Sequence, residues 1–199
     1  VRPTAFLDRD GVLNELVREP GSGVAESPLE VDHVRLIPGA AAAAAGLARA
    51  GFMLVCVSNQ PAAAKGNASV VKLRAIHEQV IALLAKEGVT FAAWRLCLHH
   101  PLGVVPELTK QCTCRKPAPG MLLDVAAELG VDLASSWMVG DTDADVAAGH
   151  AAGCRTLLIQ NPDSFHKRLQ VTSADLVAES LAQGAQKMTL HQLETFVKN

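Results

Sequence analysis

The chain has 199 residues, 49% of them apolar and 19% charged, with a formal net charge of −2. That balance belongs to a globular chain long enough to bury a sizeable core, and excludes a disordered one. Five Phe, two Trp, no Tyr and scattered basic residues offer no stacking platform or basic stripe to a nucleic acid, and no apolar run approaches the ~20 residues that span a bilayer.

Thr4 to Leu7 reads as a first strand rather than a signal peptide. With five cysteines and no secretory signal, a reducing compartment and a cytoplasmic location are expected. Residues 11–30 are rich in Gly, Pro and Glu without periodicity, which predicts a long functional loop. Val31 to Ile37 adds a short extended piece. Pro38-Gly39 opens an Ala-rich helix through Arg49-Ala50, with Gly51 as its stop. Phe52 to Val57 is a continuous apolar run, the pattern of a strand buried on both faces, and Ser58-Asn59-Gln60 ends it. Ser69 caps a helix from Val70 to about Glu87, with Leu73, Ile76, Val80, Leu83 and Leu84 on one face. Phe91 to Leu98 is a further strand, followed by a Cys/His-rich loop at 97–116. Pro119 starts a helix through Leu129-Gly130, Trp137 to Val139 forms a strand, and Asp143 to Ala152 a helix. Thr156 to Ile159 is another strand, and Leu190 to Val197 a terminal helix. The alternation predicts an α/β fold with a doubly wound, mainly parallel Rossmann-like sheet, formed as a single domain over 1–199.

Such a sheet brings four polar groups to one edge: Asp8 and Asp10, Ser58 and Asn59, Lys116, and Asp141 with Asp145. Each alone has an ordinary explanation, as a solvated turn, a helix N-terminus or a surface cation. Together their types fit hydrolysis of a phosphate monoester, which needs charge neutralisation, an in-line nucleophile and a proton donor. Asp8 is the candidate nucleophile, forming an aspartyl phosphate, and Asp10 the candidate general acid and base. Mg²⁺ on Asp8 and Asp141 would let a carboxylate approach a dianion. Ser58 and Lys116 would hold the phosphoryl oxygens.

Cys97-Leu98-His99-His100 and Cys112-Thr113-Cys114 form a second constellation. In extended chain, side chains two apart share a face. Cys97/His99 and Cys112/Cys114 are therefore two chelating pairs, with His100 the alternative to His99, and Cys₃His is a common closed Zn²⁺ site. Unrelated thiols are the competing reading, as is a redox-labile pair, although cysteines so close would make a strained disulfide. Cys56 and Cys154 sit in or beside apolar strands and read as small core residues.

Asp8-Arg9-Asp10-Gly11-Val12-Leu13-Asn14, Ser58-Asn59-Gln60, Arg115-Lys116-Pro117 and Gly140-Asp141-Thr142-Asp143-Ala144-Asp145 resemble the four motifs of the haloacid dehalogenase-like phosphatases. The zinc-type loop narrows the resemblance to the D-glycero-D-manno-heptose 1,7-bisphosphate phosphatases and the related histidinol-phosphate phosphatases, which lack a large cap domain. The resemblance implies Asp8 as nucleophile, Asp10 as acid/base, and Asp8, the Asp10 carbonyl and Asp141 as Mg²⁺ ligands, with Asp145 supporting them. It also implies Ser58, Asn59, Arg115 and Lys116 as contacts to substrate and phosphate.

Two departures lie where the remainder of the substrate would sit. Pro61-Ala62-Ala63-Ala64-Lys65-Gly66 replaces the Ser-Gly loop usual after the second motif, and the 11–30 loop is long. Lys65 there reads as a solvated lysine, with a distal phosphate as its alternative partner. The expectation is a monomeric Mg²⁺-dependent phosphomonoesterase that takes the 7-phosphate from the heptose bisphosphate. Histidinol phosphate is the alternative substrate. A polynucleotide 3′-phosphatase and a non-catalytic zinc-stapled binding protein are disfavoured.

Overall fold

The structure, a computed structural model, describes residues 2–18, 23–168 and 173–197. In chain order its main elements are β1 (Thr4–Leu7), β2 (Val17–Arg18), β3 (Ala25–Glu26), α1 (Ala40–Arg49), β4 (Met53–Asn59), α2 (Val70–Lys86) and β5 (Ala93–Cys97). They continue as α3 (Gly120–Leu129), β6 (Trp137–Gly140), α4 (Asp143–Ala152), β7 (Arg155–Ile159), β8 (Leu176–Ala178) and α5 (Leu181–Val197). Six strands pair in parallel in the order β5-β4-β1-β6-β7-β8. The chain leaves β1 toward β4 and β5, then returns to β6 on the other side. β1 is thus the switch point, where an open α/β sheet leaves a crevice at its carboxyl edge.

The strands alternate between two cores. Ala5, Leu7, Leu54, Cys56, Trp137 and Val139 pack with α1, α2 and α5, while Phe6, Val55, Val57 and Met138 pack with α3 and α4. Phe6 and Leu7 are fully buried, each worth roughly 1.5–3 kcal/mol of apolar burial. Ser69 caps α2, its hydroxyl accepting from the Lys72 N–H at 3.1 Å. Cys56 and Cys154 are buried. No helix among the described residues is long and apolar enough to cross a membrane.

Four local expectations are corrected. Val31 to Ile37 is not extended: Val31–His33 is a 3₁₀ turn, and Leu36 makes only an isolated bridge with Asn14. The 11–30 loop contains the antiparallel β2–β3 hairpin; its positions 19–22 lie outside the described residues. β4 runs on through Ser58 and Asn59, because both pair with β5. The last helix begins at Leu181, nine positions before Leu190, after a short strand β8 that had no clear signal of its own. Gly184 disguises its first turns, yet a Cβ there would come within 3.0 Å of Leu157, so glycine lets α5 lie close on β7.

Gly149 plays the same part for the site. A Cβ at this position would meet Met138 and Thr156 side chains at 2.7 Å, so its absence seats α4 on β6 and β7 and carries the helix N-terminus to the sheet edge. Gly149→Val is expected to destabilise the fold by about 1–3 kcal/mol through overpacking. The reading is a lower denaturant midpoint at constant slope; an unaltered midpoint would contradict close seating of α4.

Candidate active site

β1 ends at Leu7, and the next residue, Asp8, is tied to β6 by its N–H on the Val139 carbonyl at 2.9 Å. The chain then turns tightly: the Leu13 and Asn14 N–H groups both donate to the Arg9 carbonyl. Gly11, at φ +85°, is required twice over, because a Cβ there would also lie 1.9 Å from Asp141 Oδ2. This turn leaves Asp8 and Asp10 with different surroundings.

Asp8 Oδ1 accepts from its neighbour's backbone N–H at 2.7 Å and lies 2.9 Å from Lys116 Nζ. The same ammonium lies 2.6 Å from Asp145 Oδ1 and donates to the Val57 carbonyl at 2.8 Å. Asp145, at the third position of α4, uses its other oxygen to accept the Thr142 N–H and hydroxyl, as an N-terminal capping residue does. Asp141 follows β6 and is almost fully buried; Ser164 donates its hydroxyl to Oδ2, and Oδ1 has no hydrogen-bond partner.

Carboxylate oxygens of Asp8, Asp141 and Asp145 lie within 4.8 Å of one another. Burial, with the Asp145 and Asp10 charges, pushes the Asp8 carboxyl up to about 6 despite Lys116. Burial and the Asp8 and Asp145 charges push Asp141 well above the carboxylate range. Burial acts against Lys116, but Asp145 and Asp8 more than offset it and hold the lysine above its ordinary value. One ammonium thus pairs with two of three clustered carboxylates, Asp8 and Asp145, and a divalent cation fits the deficit and the unpartnered Asp141 oxygen.

Asp10 is the opposite case. Arg9, fully buried, grips it with Nε on Oδ1 at 3.1 Å and Nη2 on Oδ2 at 3.0 Å. Asn14 donates to Oδ1 at 2.8 Å, and Gln60 Nε2 donates to Oδ2. Burial raises the Asp10 carboxyl, but the Arg9 charge and hydrogen bonds from Arg9, Asn14 and Ser27 win, leaving it below its usual value. Gln60 also donates to the Ser58 hydroxyl at 3.0 Å, linking the two loops. Asn59 spends its amide on Lys116, donating to its carbonyl at 2.9 Å and accepting its N–H at 3.1 Å. Asp8, Asp10, Ser58, Asn59, Arg115, Lys116, Asp141 and Asp145 all line one cavity of about 850 Å³.

Sequence reasoning passed over Arg9, Gln60 and Ser164 as working parts. Arg9 and Gln60 stand inside motifs already marked, so a buried charge or amide among carboxylates was a usable signal. Ser164 lies in the short 3₁₀ turn Pro162–Lys167, 23 residues beyond Asp141, and carries no local signal.

The Cys/His cluster also assembles. Sγ–Sγ separations are 3.6 Å for Cys97–Cys112 and 3.3 Å for both Cys97–Cys114 and Cys112–Cys114. His99 Nδ1 lies 3.9 Å from Cys97 Sγ and 3.4 Å from Cys114 Sγ. A tetrahedral zinc requires edges of about 3.8 Å between sulfurs and about 3.6 Å from sulfur to nitrogen, so the donor set fits the ion. The separations are far beyond a disulfide's roughly 2.05 Å. His100 turns elsewhere, its Nδ1 accepting the Leu102 N–H at 3.1 Å. The loop is stitched to the segment after β4, since the Val104 and Val105 N–H groups donate to the Ala64 carbonyl at 2.7 and 3.1 Å. Arg115 Nη1 reaches the His99 carbonyl at 3.4 Å.

Residues 113–184 match the model of the HAD-hydrolase-like family. The chain is 37% identical over 180 residues to the D-glycero-β-D-manno-heptose-1,7-bisphosphate 7-phosphatase of Yersinia pestis, covering 90% of this chain and 92% of that one. It is 38% identical over 152 residues to the enzyme of the same name from Rhodopseudomonas palustris, covering 76% and 80%. Among solved structures, the D,D-heptose 1,7-bisphosphate phosphatase of B. bronchiseptica, complexed with magnesium and phosphate, superposes with a TM-score of 0.75 at 32% identity, covering 94% of this chain and 99% of that one. The chain belongs to this family of heptose-bisphosphate phosphatases, phosphoric monoester hydrolases of the HAD-like superfamily.

Proposed function

We propose that the enzyme removes the 7-phosphate of D-glycero-β-D-manno-heptose 1,7-bisphosphate through an aspartyl phosphate on Asp8. The carrying observation is the cluster of Asp8, Asp141 and Asp145 at the end of β1, with Lys116 paired to Asp8 and Asp145. The names of its relatives support the substrate. Mg²⁺ held by Asp8, the Asp10 carbonyl and Asp141 would supply the charge that lets a carboxylate meet a phosphate dianion.

The Asp8 carboxylate attacks phosphorus, and the sugar oxygen leaves with a proton from Asp10. Asp10 then takes a proton from the water that attacks the acyl phosphate, returning free Asp8 and inorganic phosphate. The arrangement of Asp10, ionised on Arg9, Asn14 and Gln60, suits the water-activating step. To act as donor it must bind a proton and give up those partners. The Ser58 hydroxyl accepts from Gln60, which leaves its own proton for a phosphoryl oxygen. Lys116 offsets charge on the same group. Asn59 aligns Lys116 by clasping its backbone, and Arg115 faces the sugar side. Cys97, His99, Cys112 and Cys114 would hold a structural zinc, which would brace the two residues that follow, Arg115 and Lys116. The enzyme acts as a cytoplasmic monomer of one domain.

Asp8→Asn is expected to lower phosphate release from the heptose bisphosphate at least about a thousandfold while the thermal unfolding transition persists. An active variant would sink the nucleophile assignment. Elemental analysis of the purified enzyme is expected to find about one zinc per chain; intact, metal-free protein would remove the zinc staple.

A further inference from the structure

The mechanism gives no task to the turn that follows β7, although that turn reaches the floor of the cavity. Ser164 sits in it, fully buried, and donates its hydroxyl to Asp141 Oδ2. A serine hydroxyl has a single proton to donate, so this contact commits it. The turn is held from several sides. Asn161 caps it, Oδ1 accepting the Asp163 N–H at 3.0 Å, while Nδ2 donates to the Gly11 carbonyl at 3.0 Å. The Ser164 N–H returns to the Asn161 carbonyl at 3.2 Å. The β2–β3 hairpin grips the same turn through charge, with Arg18 paired to Asp163 and Glu26 Oε2 lying 2.7 Å from Lys167 Nζ. Asn161 thus ties Ser164 to the loop that carries Asp8 and Asp10, and not to β7 alone.

The two oxygens of Asp141 are left unequal. Oδ2 is enclosed by the Ser164 hydroxyl and by Gly11, where a Cβ would stand 1.9 Å from this oxygen and 3.2 Å from Ser164 Oγ. Oδ1 is buried without a hydrogen-bond partner. A cation arriving among Asp8, Asp141 and Asp145 therefore meets one free oxygen of Asp141 and not both. That difference bears on which ion is favoured. Mg²⁺ takes single oxygens in a strict octahedron, whereas Ca²⁺ takes more ligands and accepts both oxygens of one carboxylate.

Resting on the Mg²⁺-dependent phosphatase reading above, we propose that Ser164 is a positioning residue that holds Asp141 as a one-oxygen ligand and thereby sets the preference of the site for Mg²⁺ over Ca²⁺. It acts through Asp141 alone. Removing the hydroxyl frees Oδ2 to turn toward the ion beside Oδ1, which loosens the arrangement suited to Mg²⁺ and opens the one suited to Ca²⁺.

The test is calorimetric titration of magnesium chloride and of calcium chloride into the purified enzyme, freed of loosely bound ions by gel filtration, with no substrate present. Ser164→Ala is expected to weaken Mg²⁺ binding about tenfold, as loss of a ligand-orienting hydrogen bond does. Ca²⁺ binding stays within about threefold, so the Mg²⁺-to-Ca²⁺ affinity ratio falls. Ser164→Cys keeps a weaker donor and is expected to lie between; it carries the comparison should Ser164→Ala fail to fold. Leu84→Ala, which empties a buried position of α2 away from the cavity, lowers the Tm and keeps the ratio. A ratio unmoved by the Ser164 variants, or lowered equally by Leu84→Ala, overturns the inference and leaves the phosphatase reading standing. Failure of that reading has a different signature, a wild type that binds Mg²⁺ yet releases no phosphate from the heptose bisphosphate, and the ratio still decides the inference. A wild type that binds no Mg²⁺ overturns the inference together with the metal role.

Discussion

Everything at this site depends on one buried ammonium. Lys116 lies within 3 Å of Asp8, Asp145 and the Val57 carbonyl, so its donors are saturated and its position is set by three different elements. It compensates part of the negative charge at the floor, and the rest stands uncompensated on Asp8 and Asp141. A buried carboxylate without a partner is costly, and this one is kept where a dianionic ester has to be met. The fold therefore maintains a cation-binding site at the expense of local stability, as functional sites commonly do.

The surrounding structure is arranged to deliver that lysine. β4 ends in Asn59, whose amide clasps the Lys116 backbone from both sides. The Cys/His cluster closes just before Arg115, so a zinc ion there would stiffen the approach to both cations. Gly149 lets α4 sit against the sheet, and Asp145 on its first turn reaches the ammonium. Asp10, by contrast, is paired with Arg9, Asn14 and Gln60 rather than with Lys116. Two aspartates one residue apart thereby acquire opposite shifts, Asp8 upward and Asp10 downward, and a cation bound beside Asp8 would favour the ionised carboxylate that a nucleophile needs.

Much of this was legible in the sequence because it is local. Apolar runs ending in Asp8, Ser58 and Gly140-Asp141 located the sheet edge, and spacing by two marked the four members of the Cys/His cluster. The geometry resolved His99 over His100, which spacing alone left open. What escaped was long-range or weakly patterned. β8 is only three residues, and Gly184 broke the helical pattern of α5 for the sake of contact with Leu157. Ser164 reaches Asp141 from a short 3₁₀ turn far along the chain, and the β2–β3 hairpin emerges from a segment with no alternation. Its placement depends on Arg18 and Glu26 meeting Asp163 and Lys167, about 140 residues later in the chain, a pairing no local pattern encodes.

The measurement that bears most directly on the buried charge deficit is thermal unfolding of the wild type and of Asp141→Asn across a Mg²⁺ titration. A deficit filled by Mg²⁺ predicts that the wild-type Tm rises with Mg²⁺ by mass action. It also predicts that Asp141→Asn melts higher than the metal-free wild type, with its Tm nearly insensitive to the ion. A metal-free variant that melts lower than the metal-free wild type, or equal Mg²⁺ responses in the two proteins, would contradict it.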